Sequence, residues 1–144
     1  MWKLLSLSLV ITSWLCAIEV AHGTFVWPTS TGNQQLISGL SFQPKLIILR
    51  WNFGGEGVYS GASMGFGAAT SPTSRFAVYL IGGDGHNGNH LSSHRANRIV
   101  EAWWRSGGTN NLAARADIAS FDPDGVTFSV TTYNSTYRPR VSWL

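Results

Sequence analysis

Apolar and polar residues alternate with a period of two along most of the chain from residue 24 onward, and no stretch repeats its apolar positions at helical spacing. Runs over 24–27, 34–38, 45–51, 60–68, 75–81, 98–105, 112–121, 126–133 and 138–144, punctuated by Gly, Pro, Asn and Asp, predict about nine strands. In Val126-Thr127-Phe128-Ser129-Val130-Thr131 the split is clean, so Val126, Phe128 and Val130 are expected inward and the hydroxyls outward. Over 99–105, Val100, Ala102 and Trp104 share one face, and Glu101, Trp103 and Arg105 share the other. The charged pair marks the second as the wet face, which places Trp104 in the core and leaves Trp103 exposed or at a contact. Segment 45–51 is apolar on both faces, as in a strand covered on both sides, whether by another subunit or by the N-terminal segment. The expected core contains Ile48, Phe66, Val78, Trp104, Ile118, Phe128 and Val130.

Asp122-Pro123-Asp124-Gly125 joins two of these runs and is a turn signal, with Pro setting φ and Gly expected to take a positive φ. Regularly spaced strands with Gly-rich connections give an all-β fold class, an antiparallel two-sheet sandwich that is jelly-roll-like. The connections at 82–96 and 106–111 are the expected exposed, variable loops.

At 144 residues, with 44% hydrophobic and 12% charged residues, the chain has room for one domain with a core of its own and is not disordered in composition. Residues 1–23 form a separate, signal-peptide-like unit. Lys3 supplies a positive start, 4–18 is apolar, and Ala21-His22-Gly23 offers small residues for cleavage before Thr24. The run is shorter than a spanning helix requires, so no stable membrane span is expected after cleavage. The expected product is a secreted domain over 24–144, or a virion protein if the leader is not native. Cys16 is the single cysteine and would leave with the leader, so the fold is expected to stand on its core alone. The formal charge of +3 comes from scattered residues; only Arg95 with Arg98 and Arg138 with Arg140 approach a stripe, and no nucleic-acid partner is expected.

Chemistry-bearing groups are few. His86, His90 and His94 are spaced for one face of a helix, but Gly82, Gly83, Gly85 and Gly88 read as a polar loop, so no metal site and no cofactor is expected. Asp122 and Asp124 open like a calcium loop that lacks its remaining ligands. No Gly-x-Ser-x-Gly is present, and Glu56 and Glu101 are the only glutamates after residue 23, which leaves no catalytic residue to name. Flat rings can stack on sugars with Arg and Asn beside them, and the candidate ligand-binding set is Trp103 and Arg105 with Asn87 and Asn89.

Two motifs carry a resemblance. Gly39-Leu40-Ser41-Phe42-Gln43-Pro44-Lys45 before an aliphatic strand, and Phe121-Asp122-Pro123-Asp124-Gly125, resemble small β-sandwich modules of tailed-phage virion and tail-associated proteins. Arg140-Val141-Ser142-Trp143-Leu144 resembles their closing strand, after which small residues and Gly usually follow, so the C-terminus is expected to be truncated with an open strand edge. The resemblance implies a non-enzymatic structural or adhesive module whose partners are further copies of itself or other virion or tail subunits. The alternative is a secreted carbohydrate-binding module or lectin that contacts a surface glycan.

Overall fold

The computed structural model describes residues 18–53, 63–81, 91–106, 109–136 and 138–144. Among them there is no helix, and ten strands form two antiparallel sheets packed into a sandwich, as the alternation predicts. The strands are β1 (Gly23–Val26), β2 (Gly32–Ile37), β3 (Ile47–Phe53), β4 (Ser63–Ala69), β5 (Arg75–Ile81), β6 (Leu91–Arg95), β7 (Val100–Ser106), β8 (Thr109–Asp122), β9 (Gly125–Thr132) and β10 (Arg140–Trp143). One sheet has six strands in the order β1-β10-β3-β4-β5-β6, the other four in the order β2-β9-β8-β7. β6 was expected to be loop; its short polar sequence lacks an apolar alternation, and pairing along β5 makes it a strand. β10 is not an open edge, because β1 and β3 flank it and Leu144 exchanges two backbone hydrogen bonds with Ile48.

The core lies between the sheets. Trp51, Leu49 and Val141 from the six-stranded sheet meet Val126, Phe128 and Val130 from the other, and the half-buried Phe25 ring packs 5.9 Å from that of Phe128. Ile118, Phe128 and Val130 are buried as expected, whereas Ile48 is only half-buried. Phe66 and Val78 are a correction, since both stand exposed on the outer face. The cause is in β4. Ser63, Gly65, Gly67 and Ala69 point inward, and a side chain added at Gly65 would overlap the Trp51 ring, while one at Gly67 would overlap the Ile99 carbonyl. With the interior taken by Trp51 and by the chain entering β7, the bulky residues of β4 must face out, and strand pairing carries the same phase into β5.

A second correction concerns β7. Val100 and Ala102 share a face with Ala114 and Ala116, as expected, but the opposite face is not wet: Glu101 is 1% exposed. β7 lies against β3, β4 and β5, so both its sides are covered. The register slips between Ala102 and Trp103 because Ala113 of β8 is an extra residue, and Trp103, on the same side of β7 as Glu101, packs against the core instead of standing outside, while Trp104 is half-buried. The Trp103 amide donates to the buried Ser63 hydroxyl at 3.2 Å.

The Asp122–Gly125 turn forms as a hairpin. Among the described residues only Gly32 and Gly39 have positive φ, so Gly125 serves instead by leaving room for the Ile37 carbonyl. Asp122 accepts hydrogen bonds from Thr127 Oγ1 (2.6 Å) and Ser120 Oγ (2.7 Å), which hold its carboxyl below the usual carboxylate range. No helix of the described residues is long and apolar enough to cross a membrane.

Two outcomes follow from the inverted faces and from the turn. Phe128→Ala should cost about 3–5 kcal/mol by cavity formation, and Gly67→Ala about 1–3 kcal/mol or more by overpacking. Phe66→Ser should stay within about 0.5 kcal/mol; urea melts of the three variants check the order. For Asp122, a lowered folded pKa contributes stability that is full above the unfolded value of about 3.9 and is lost as pH falls through the folded value. Thr127→Val should raise the Asp122 pKa in an NMR titration, and the stability gap between wild type and variant should close on acidification through that window.

Candidate contact surface and the buried carboxylate beside it

Inverting β4 and β5 gives the six-stranded sheet an apolar outer face. Met64 (57% exposed), Phe66, Phe76, Val78 and Leu80 (53%) lie on two adjacent strands. The register arranges the face in rows: Ile48, Ala68 and Phe76; Arg50, Phe66, Val78 and His94; Asn52, Met64 and Leu80. Phe66 and Phe76 pack with ring centroids 6.0 Å apart, and the His94 ring stacks on Phe76 at 6.0 Å. A shallow groove of about 570 Å³ runs along the middle row, apolar at its centre with Arg50 at one end and His94 at the other. No carboxylate lies on this face among the described residues; Arg50, Arg140 and His94 are its ionisable groups. Flat apolar surface with Met, Phe and Arg, and without Lys, Asp or Glu, has the composition of a protein interface core. The doubly apolar 45–51 segment pointed here. The small residues at every second position of β4, Gly65, Gly67 and Ala69, are the signal in the sequence of an inward face without room for larger side chains.

Behind the same edge sits a buried ion cluster. Glu101 Oε1 accepts from Tyr79 Oη (3.1 Å), Trp103 Nε1 (3.1 Å) and Arg95 Nε (3.3 Å), and Oε2 accepts from Arg115 Nε (3.3 Å). Tyr79 and Arg95 come from β5 and β6, Trp103 and Arg115 from β7 and β8, so one carboxylate joins both sheets. The hydrogen bond with Tyr79, and then the charge of Glu101, hold the Arg95 guanidinium above its usual range. A carboxylate taking four donors has little lone-pair capacity left, so the arrangement fastens the sheets and is poorly set up for proton transfer. A second pair, Arg75 with Asp117, bridges the sheets nearby, with Arg98 3.8 Å from the same carboxylate.

Of the sequence-predicted binding residues, Trp103 is half-buried with its indole N–H engaged by Glu101. Arg105 lies in β7, its backbone paired with Asn110. Asn87 and Asn89 lie outside the described residues, as do His86 and His90, whereas His94 is on β6. Among the described residues no group of three or more His, Cys, Asp or Glu is placed to hold a metal ion. At the end of the sandwich, Leu40, Phe42 and Pro44 of the Gly39–Lys45 motif line an apolar cleft of about 440 Å³, walled on one side by Ile18, Val20 and Ala21. Compared with known proteins, the chain matches no family model, no curated protein and no solved structure.

The ion cluster makes an asymmetric prediction. Glu101→Gln leaves Arg115 and Arg95 without their charge partner and should cost about 3 kcal/mol. Arg95→Ala removes a guanidinium that is 46% exposed and screened by solvent, and should cost much less. Denaturant midpoints of the two variants check the ratio; equal losses would mean that the cluster is not anchored on Glu101.

Proposed function

We propose that this chain is a non-enzymatic structural or adhesive β-sandwich module that works by surface contact, and that the outer face of β3–β6 is where the contact is made. The observation that carries the reading is the five large apolar side chains exposed on β4 and β5. A sheet face of this kind is normally covered, and left open it is a liability to solubility. The resemblance of the Gly39–Lys45 and Phe121–Gly125 motifs to phage tail-associated modules supports the same reading, since such modules act by contact with other subunits. The apolar run over 4–18 supports a secreted product. The sugar-binding alternative draws on Trp103, whose indole N–H is already used by Glu101, and the contact reading is preferred because its side chains are exposed together.

A photo-crosslinking side chain placed at Phe66 tests this in the cells that make the protein, with the same group at the exposed Thr131 of the other sheet as control. Covalent adducts, to whatever protein, should form from position 66 and not from 131. If position 66 gives none, the face is not a contact surface and the reading fails.

A further inference from the structure

We infer that the occupant of the β3–β6 outer face is a second copy of the same chain, packed face to face about a two-fold axis that runs parallel to the strands between β4 and β5. The inference rests on the contact reading above and adds the partner's identity and the geometry.

The register supplies the argument. A two-fold rotation about such an axis keeps each residue at its level along the strand and lays β4 over β5 of the other copy and β3 over its β6. Phe66 then meets Val78, Met64 meets Leu80, and Ala68 meets Phe76, each contact occurring twice. The last pairing sets the smallest side chain of the face against one of the largest, and all three join apolar to apolar. The strands of the two sheets run within the aligned range in which sheet faces pack.

Charge selects this axis over the other in-plane choice. Because Arg50, Phe66, Val78 and His94 share one row, an axis across the strands through that row would set Arg50 against Arg50. The axis along the strands sets Arg50 against His94 instead, an aromatic ring on which a guanidinium can stack, and carries Arg140 beyond the partner's edge strand. A membrane surface would also take an apolar and cationic face. A twisted sheet is saddle-shaped, however, and mates with another twisted sheet rather than with a flat bilayer.

Size sets the strength. Four strands at about 4.8 Å spacing and about 23 Å length give roughly 440 Å² of flat face per copy. Two copies therefore bury roughly 900 Å² before side-chain relief, below the roughly 1,200 Å² of stable specific interfaces and in the range of weak, transient ones. The association should be reversible, with a Kd on the order of 10 µM.

Sedimentation equilibrium of the full chain from about 1 to 300 µM should show the mass rising from one copy toward two. Phe66→Asp and Val78→Lys should each remain monomeric with melting temperatures close to wild type, because both positions are exposed in the single copy. Mixing the two variants should restore a heterodimer, since position 66 of one faces position 78 of the other. A wild type that stays monomeric throughout, or variants that dimerise alone, would overturn the inference, as would a mixture that fails to associate. Binding of the monomer to vesicles containing phosphatidylserine would also overturn it, in favour of a membrane. If Phe66 crosslinks in cells only to a different protein while the purified chain stays monomeric, the contact reading stands and the second copy is excluded.

Discussion

The packing of β4 against the other layer is the constraint from which the rest of the molecule follows. Gly65 makes room for the Trp51 ring of the neighbouring strand β3 and Gly67 for the Ile99 carbonyl, so the chain entering β7 comes closer to β4 than side chains of ordinary size would allow. That approach lets β7 lie across β3, β4 and β5 and brings the covered face of β7, with Glu101, within reach of Tyr79 and Arg95. It also fixes the phase of β4 and β5, and through it the apolar outer face. The buried ion cluster and the exposed patch are thus two results of one steric choice.

The division of labour between the two sheets is correspondingly unequal. The four-stranded sheet turns Ser129, Thr131 and Thr127 away from the core, an ordinary half-wet antiparallel pattern. The six-stranded sheet turns apolar groups both ways in β4 and β5 and polar groups outward on the strands beside them, at Arg50, Asn52, Arg140 and Thr24. A protein that needed only to be a stable monomer would gain nothing from this asymmetry, which is why the outer face carries the functional reading while Glu101, saturated with donors, carries a structural one.

How much of this could be read from the chain depended on whether local alternation or distant packing set the outcome. The sandwich and the β8–β9 hairpin were legible because Val126, Phe128 and Val130 alternate without interruption and Asp122-Pro123-Asp124-Gly125 is a self-contained turn. The orientation of β4 and β5 was not. In Ser63–Ala69 either phase is compatible with alternation, and only the Trp51 ring, contributed by another strand, decides between them. Glu101 misled for a related reason: a charge on a strand face marks solvent unless the other sheet brings donors to it, and Tyr79 and Arg95 reach it from the six-stranded sheet while Arg115 adds another from its own. Trp103 follows Glu101 to the covered side of β7, so the same misreading placed it outside.

The position of β10 bears on how the chain reaches this state. Its partners are β1, more than a hundred positions earlier, and β3, some ninety positions earlier, and it lies between them, so residues 23–26 have no place in the six-stranded sheet until 140–143 are there to receive them. The β3–β6 and β7–β9 meanders, whose pairings are local, can assemble while that slot is vacant. Closing it requires a large loss of loop entropy before any contact is gained, the feature that makes sandwiches slow to fold. Until it closes, the inner side of β3 with Trp51 and Leu49 lacks its neighbour Val141, and the half-assembled sheet presents a free edge along β3. The time spent in that condition, rather than the depth of the final minimum, would then set how readily the chain strays into association with its own unfinished copies.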